Sequence, residues 1–309
     1  MNETIEFGIS MGLMWEAKAE ARRAEQLGFD YLLAGEHIMF HVPTTNTLVA
    51  LAAAAGATER IKLMSGIVLV PLYPPALLAK QAAVLDVVSG GRFSLGIGVG
   101  GEFRKEFDAV GVPVSERGVR TDEALEVIHR LMTEKDVHFD GRFTKLGGVS
   151  ISPRCVQQPR VPFWVAGRKD GAMRRAAKYA EGWLPYMYTP ELLADSMTKI
   201  ALFTAEAGRP ADTVKGGLYI FSCVHEDRST ALAMANEQLS KQYNQDFTKM
   251  VAKYTIAGSP PDCIARLQEY VDAGARTIML GPACAGEYVD ENARLLAEEV
   301  IPAFRPTSL

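Results

Sequence analysis

Apolar positions along this chain alternate between two rhythms. Short β-branched runs, such as "IEFGIS" at 5–10 and "FDYLLAG" at 29–35, have the length and make-up of strands. Between them lies a stretch from Trp15 to Leu27 in which Ala17, Ala21, Ala24 and Leu27 recur at three- and four-residue spacing, and Gly28 ends it. This predicts strand, helix, strand. The pattern continues with "TLVALAAAAGA" as a buried helix closing at Gly56, and "RIKLMSGIVLV" at 60–70 as one strand. The prolines of "PPALLAKQAAVLDVVS" open the next helix, where a missing N–H is harmless, and Gly90-Gly91 close it. "RFSLGIG" is the fourth strand and "ERGVRTDEALEVIHRLM" its helix.

The rhythm then breaks. Thr133 to Pro159 is polar and turn-rich, with "FDGRF" reading as the turn of a hairpin. It resumes with the strand "PFWVAG", a helix from Gly171 to Ala180, the strand "GWLPY" and a helix from Pro190 to Ala207. "VKGGLYIFSCV" is a seventh strand, "PPDCIARLQEYVDAG" a helix, "ARTIMLG" an eighth strand and "DENARLLAEEVIPAF" a last helix. Eight strands that each feed a helix are expected to close as an α/β fold of the (β/α)8 TIM-barrel kind, with one insertion after the fourth βα unit. A doubly wound sheet would need a glycine fingerprint after its first strand, where "MGLMWE" stands instead. With no internal repeat or long linker, residues 1–309 are expected to form a single domain.

Composition narrows the partners. The chain is 48% hydrophobic and 23% charged with a net charge of −4, which suits a globular protein with a large core and speaks against nucleic acid as a partner. Cys155, Cys223, Cys263 and Cys284 form no CxxC pair and no zinc spacing, so reduced cysteines in a cytoplasm are expected. No basic segment of the kind that starts a signal peptide precedes "IEFGIS". The longest apolar run, "TLVALAAAAGA", is too short to span a bilayer, and no membrane association is expected.

The candidate chemistry sits at the C-terminal ends of the predicted strands, the rim where barrels place their sites. In "GIGVGGEF", Gly96 and Gly98 either admit bulky neighbours, or Gly98, Gly100 and Gly101 let backbone approach a flat ligand. Glu102 is the member of the following charged run placed near chemistry; Arg104, Lys105 and Glu106 read as a solvated helix start. "LLAGEHIM" puts Glu36 and His37 on the rim, and His37 is the best candidate proton shuttle, with a structural histidine as the alternative. His41 is a lesser candidate, while His129 falls on a helix crowded with apolar residues. Neither HxH, HExxH nor a carboxylate triad occurs, and no metal is expected. Gly167 and Arg168 lead into the helix near Gly171, whose free N–H groups suit a phosphate; Arg174 and Arg175 are secondary candidates or surface residues. Trp183 either walls a ring pocket or fills the core.

These stretches, from "AEQLGFDYLLAGEH" through "GRFSLGIGVGGEFRKEF" to "PFWVAGRKDGAMRRAAKYAEGWLP", together resemble the luciferase-like flavin- and deazaflavin-dependent oxidoreductases, closest to the F420-dependent subset. The resemblance implies a distorted (β/α)8 barrel holding coenzyme F420, or alternatively FMN, at its mouth, and a homodimer. It implies that Ser65, Gly66 and Ile67 support the cofactor ring, in some members through a non-proline cis peptide, and that Gly167 and Arg168 grip the phosphate. Many F420-dependent members carry Asp-His where this chain has Glu36-His37, and Glu-His occurs among FMN-using monooxygenases. F420 moves a hydride at C5 and reacts poorly with oxygen, whereas reduced FMN from a separate reductase activates oxygen. The implied function is hydride transfer to or from a small organic carbonyl, alcohol or activated alkene, with His37 as proton donor. A flavin monooxygenase and a non-catalytic flavin-binding barrel are the competing readings.

Overall fold

The computed structural model describes residues 4–12 and 16–305, so the predicted helix start at Trp15 lies outside the described residues. Strands β1 (Glu6–Ser10), β2 (Tyr31–Ala34), β3 (Lys62–Ser65), β4 (Val68–Leu69) and β5 (Phe93–Gly98) alternate with helices α1 (Ala17–Gln26), α2 (Thr47–Ala55) and α3 (Pro75–Val88). A short α4 (Arg104–Ala109) precedes the long α5 (Arg117–Thr133). The antiparallel hairpin of β6 (Val137–Asp140) and β7 (Lys145–Val149) then occupies the predicted insertion, with its turn closed by Gly141 N–H to Thr144 C=O at 2.9 Å. The second half runs β8 (Phe163–Ala166), α6 (Asp170–Tyr179), β9 (Gly182–Leu184), α7 (Pro190–Glu206) and β10 (Lys215–Val224). It finishes with α8 (Arg228–Tyr243), α9 (Val251–Tyr254), β11 (Thr255–Gly258), α10 (Pro260–Asp272), β12 (Thr277–Pro282) and α11 (Val289–Leu295).

Parallel pairing closes the ring: β1–β2, β2–β3, β3–β5, β5–β8, β8–β9, β9–β10, β10–β12 and β12–β1. The eight predicted strands are the ones that form it. β11 pairs only with the C-terminal end of β10, from Phe221 to Val224. It and α8 were not expected from the sequence, which passes from the seventh strand straight to α10.

The period-two alternation of strands sorts side chains onto two faces. Tyr31, Leu33, Met64, Trp164, Leu184 and Met279 form one compact cluster inside the ring. Their strand neighbours Leu32, Leu63, Phe163, Val165 and Leu280 belong to the larger core between strands and helices. Caps fix where helices begin: Asn46 accepts from Val49 N–H at α2, and Ser259 and Asp262 form a reciprocal capping box at α10.

The run expected as one strand over 60–70 is broken into β3 and β4 by a cis Gly66–Ile67 peptide bond. Register shows the break. Met64 faces Ser94 and Val68 faces Ile97, so β3–β4 takes one residue more than β5 between the same two rungs. The extra residue would leave β5 backbone unpaired. The Ser65 hydroxyl repairs this, accepting from Gly96 N–H at 2.7 Å and donating to Gly96 C=O at 3.0 Å.

Candidate active site

The bulge is the floor of the site. Gly66 N–H donates to Ala34 C=O at 2.7 Å, which ties it to the end of β2. Ser65, Gly66 and Ile67 form this bulge, with Ser65 wholly buried and its side chain spent on β5. The glycines below have a steric reason. A Cβ on Gly96 would lie 1.8 Å from Ser65 O, and one on Gly98 would lie 1.6 Å from Ile67 Cδ1. At Gly98 the space of a side chain is thus filled by Ile67. Gly100 and Gly101, at φ +62° and +107°, turn the chain from β5 toward α4.

That turn aims α4 so that Glu106 and Phe107 are both fully buried. Glu106 is the residue that sequence reasoning passed over. Its Oε1 lies 3.0 Å from His37 Nδ1, and its Oε2 accepts the Ile38 N–H at 2.8 Å. A carboxylate only accepts, so the imidazole carries a proton on Nδ1, and its ring is held from that side. His37 itself is half-buried at the mouth, stacked on Phe40 with ring centroids 4.3 Å apart. Glu102, the carboxylate expected near chemistry, is exposed on the rim and accepts from Tyr186 OH; the acid that meets His37 is Glu106. The signal was present. Phe103, Glu106, Phe107 and Val110 share one helical face, so Glu106 lies on the apolar side of a charged segment.

Glu36 turns the other way. It is buried and accepts from Tyr73 OH at 2.8 Å, Leu69 N–H at 3.2 Å, Asn46 Nδ2 at 3.3 Å and Thr47 N–H at 3.4 Å. Burial raises its pKa and these donors pull it back. Burial, and then Glu36 itself, push the Tyr73 phenol up. Glu36 is a clamp that joins the end of β2 to β4, just beyond the bulge.

Across the mouth, β8 ends in Ala166 and Gly167 (φ +128°), then Arg168 leads to α6. No side chain caps α6 at its N-terminus. Ala172 and Met173 N–H already bond to Lys169 C=O, while Asp170 and Gly171 N–H have no partner within the helix. Arg168 is exposed, its guanidinium 5.1 Å over the Tyr186 ring. Trp183 corrects the expectation of a pocket wall. It is wholly buried, and its indole N–H donates to Gly167 C=O at 2.8 Å, so it acts on the site only through that turn. Arg174 pairs with Glu206 at 3.0 Å on the surface, and the largely covered Arg175 pairs with Asp122 at 2.6 Å and donates to Gly118 C=O.

The other histidines stand apart from the dyad or beside it without a carboxylate. His41 is exposed, edge-on to Phe103 at 5.3 Å. His138 lies 3.6 Å from Asp136 in the hairpin, and His129 accepts from Arg160 Nε at 3.1 Å. Among the described residues no three His, Cys, Asp or Glu side chains are grouped to hold a metal ion, and no helix is long and apolar enough to cross a membrane. All four cysteines are buried free thiols.

Residues 14–277 match the family profile described as "Luciferase-like monooxygenase". An uncharacterized protein of Mycobacterium tuberculosis is 33% identical over 54% of this chain, and the match spans only 57% of that relative's length. The F420-dependent glucose-6-phosphate dehydrogenase of Microbacterium testaceum is 26% identical over 98% of this chain and 94% of its own. Among solved structures, an F420-dependent secondary alcohol dehydrogenase in complex with an F420–acetone adduct superposes with a TM-score of 0.86 at 20% identity, covering 98% of this chain and 100% of that one. This last likeness concerns the fold.

Proposed function

Since the chain belongs to the luciferase-like monooxygenase family of flavin- and deazaflavin-using oxidoreductases, we propose that it is an F420-dependent enzyme acting on a small organic carbonyl, alcohol or activated alkene. The observation that carries this reading is the His37–Glu106 pair, 3.0 Å apart, on the rim of the barrel. The parts fit such a cofactor. The half-buried Gly66 and Ile67 lie on the rim where a flat ring would rest, and the uncapped start of α6 with Arg168 offers N–H groups and a cation for a phosphate. Asp170 in that first turn lies 3.8 Å from Lys199, which offsets its charge. When bound, F420 supplies or takes up a hydride at its C5. Glu106 orients the imidazole through Nδ1 and leaves Nε2 to exchange a proton with substrate, with Glu106 stabilising the imidazolium.

The relative named as an F420-dependent dehydrogenase along nearly its whole length supports F420 over FMN. The opposing observation is Glu36, where many F420-dependent relatives carry Asp, and an FMN monooxygenase served by a separate reductase is the second reading. We propose further that residues 1–309 act as one domain and that the protein is a homodimer. α2 carries no charged side chain, and α2 and α3 expose Val49, Leu77 and Val88. Parallel fluorescence titrations with F420 and FMN test the cofactor. F420 is expected to bind tighter by at least about tenfold, ~1.4 kcal/mol. Equal or reversed affinities overturn the assignment in favour of FMN. Arg168→Ala and Gly167→Pro should weaken binding with the barrel folded; unchanged affinity in both rejects the phosphate turn.

A further inference from the structure

The surroundings of His37 are aromatic. Phe40 lies on its imidazole almost parallel, at 15° and 4.3 Å. Phe40 meets Phe103 at 6.1 Å, inclined at 66°, and Tyr243 at 6.2 Å, near perpendicular at 87°. Tyr243 continues to Phe221, and Phe221 to Tyr219, again edge to face at 6.1 and 5.2 Å. These rings come from four separate segments: the loop after β2, the turn before α4, the end of α8, and β10.

Phe40 belongs to the stretch between β2 and α2, which has neither helix nor strand from Gly35 to Asn46. The same loop exposes Ile38 and Met39, 49% and 37% accessible, so its approach is apolar as well. Arg168 lies over Tyr186, whose hydroxyl is bonded to Glu102.

Phe40 therefore marks what this place accepts: a flat apolar ring on the imidazole face, with its edges held by Phe103 and Tyr243. We infer that the substrate presents an uncharged aromatic ring next to its reacting carbon, as an aryl ketone or the matching aryl carbinol does, and takes the place of the Phe40 ring. The inference rests on the proposed proton-exchange role of His37. In the reducing direction the C=O π bond breaks, the carbon gains a hydride from reduced deazaflavin, and the oxygen gains the Nε2 proton. A phosphorylated sugar would set its charge against these aromatic faces.

The test is binding, read by ligand-observed NMR on the purified protein with F420 and, for the two ketones, also without it. The probes are acetophenone, its saturated analogue acetylcyclohexane, and glucose 6-phosphate. Acetophenone is expected to bind saturably and tighter than acetylcyclohexane, with no saturable binding of glucose 6-phosphate. Phe103→Leu and Tyr243→Leu should each weaken acetophenone by about three- to tenfold. Phe40→Ala, which vacates the place, should leave that affinity equal or improved. Saturable glucose 6-phosphate, equal binding of the two ketones, or indifference of affinity to both leucine variants would overturn the inference. Cofactor titrations on the same samples separate the two claims. Loss of F420 and FMN binding in the wild type strikes the proposed function, whereas intact F420 binding with failed aryl recognition strikes only the substrate class.

Discussion

Glu106 holds the His37 ring and the Ile38 backbone with one carboxylate, Oε1 at 3.0 Å from Nδ1 and Oε2 at 2.8 Å from the amide nitrogen. Replacing it by an amide sets a donor against one of these donors. Glu106→Gln is expected either to force His37 into the other tautomer or to release the ring. Turnover should fall by about 10²–10⁴-fold, as it should for His37→Ala, with cofactor affinity unchanged. The double variant should be no slower than either single one, because the pair acts as a unit. Single-turnover oxidation or reduction of bound cofactor is the measurement. Wild-type rates in His37→Ala would make His37 a structural residue.

Two neighbouring glycines should respond differently to the same methyl group. At Gly96 the obstacle is a backbone carbonyl, Ser65 O at 1.8 Å, which cannot move without disturbing the bulge. At Gly98 it is the tip of Ile67, a side chain that can rotate. Gly96→Ala is expected to lose about 3 kcal/mol or more and to abolish cofactor binding, Gly98→Ala to lose about 1–3 kcal/mol. Urea midpoints with parallel titrations check the order. Equal effects would show that the bulge is not rigidly seated.

Glu36 is surrounded by donors, so Glu36→Gln should cost about 1–3 kcal/mol, since the new NH2 must face one of them. Its raised folded pKa also fixes a sign. The folded state binds this proton more tightly, so the contribution is full below the ordinary carboxylate value and is lost as pH rises through the folded value. The variant should lack that acidic-side slope in urea midpoints taken across pH.

His129 gives the opposite slope. Burial, and then Arg160, hold its pKa below the usual imidazole value, and its Nδ1 must stay unprotonated to accept from Arg160. Its contribution is full above the unfolded imidazole value and is lost as pH falls through the folded one. Thermal midpoints recorded from neutral to mildly acidic pH should fall for the wild type and fall less for His129→Gln.

The ring was legible because each of its strands is an apolar run bounded by glycine, proline or a capping residue. α8 was not. Its sequence "RSTALAMANEQLSKQY" spreads small and polar residues around the helix, and burial is confined to Ala231, Ala235 and Leu239. β11 is only "TIAG", four residues whose strand character comes from pairing with the end of β10. His37 could be placed on the rim from the sequence; its partner was passed over because Arg104, Lys105 and Asp108 give Glu106 a solvated look, although it shares a helical face with Phe103, Phe107 and Val110. What completes the burial of Glu106 is the direction in which Gly100 and Gly101 send the chain. The Gly66–Ile67 break was invisible in an unbroken apolar run, and only the family resemblance pointed to it.

Trp183 is shut inside the protein, yet its indole is one hydrogen bond from the carbonyl of Gly167. That makes it a built-in optical gauge of the turn before α6. Tryptophan emission overlaps the near-ultraviolet and blue absorption of flavins and deazaflavins, so a ligand seated at that turn would drain its excited state by energy transfer. Inorganic phosphate, which absorbs nothing there, would act only by tugging the turn. Comparing the emission of Trp183→Phe with that of the intact protein would show which part of the signal originates at this ring, and so let occupancy of the phosphate end be followed in a protein carrying no dye.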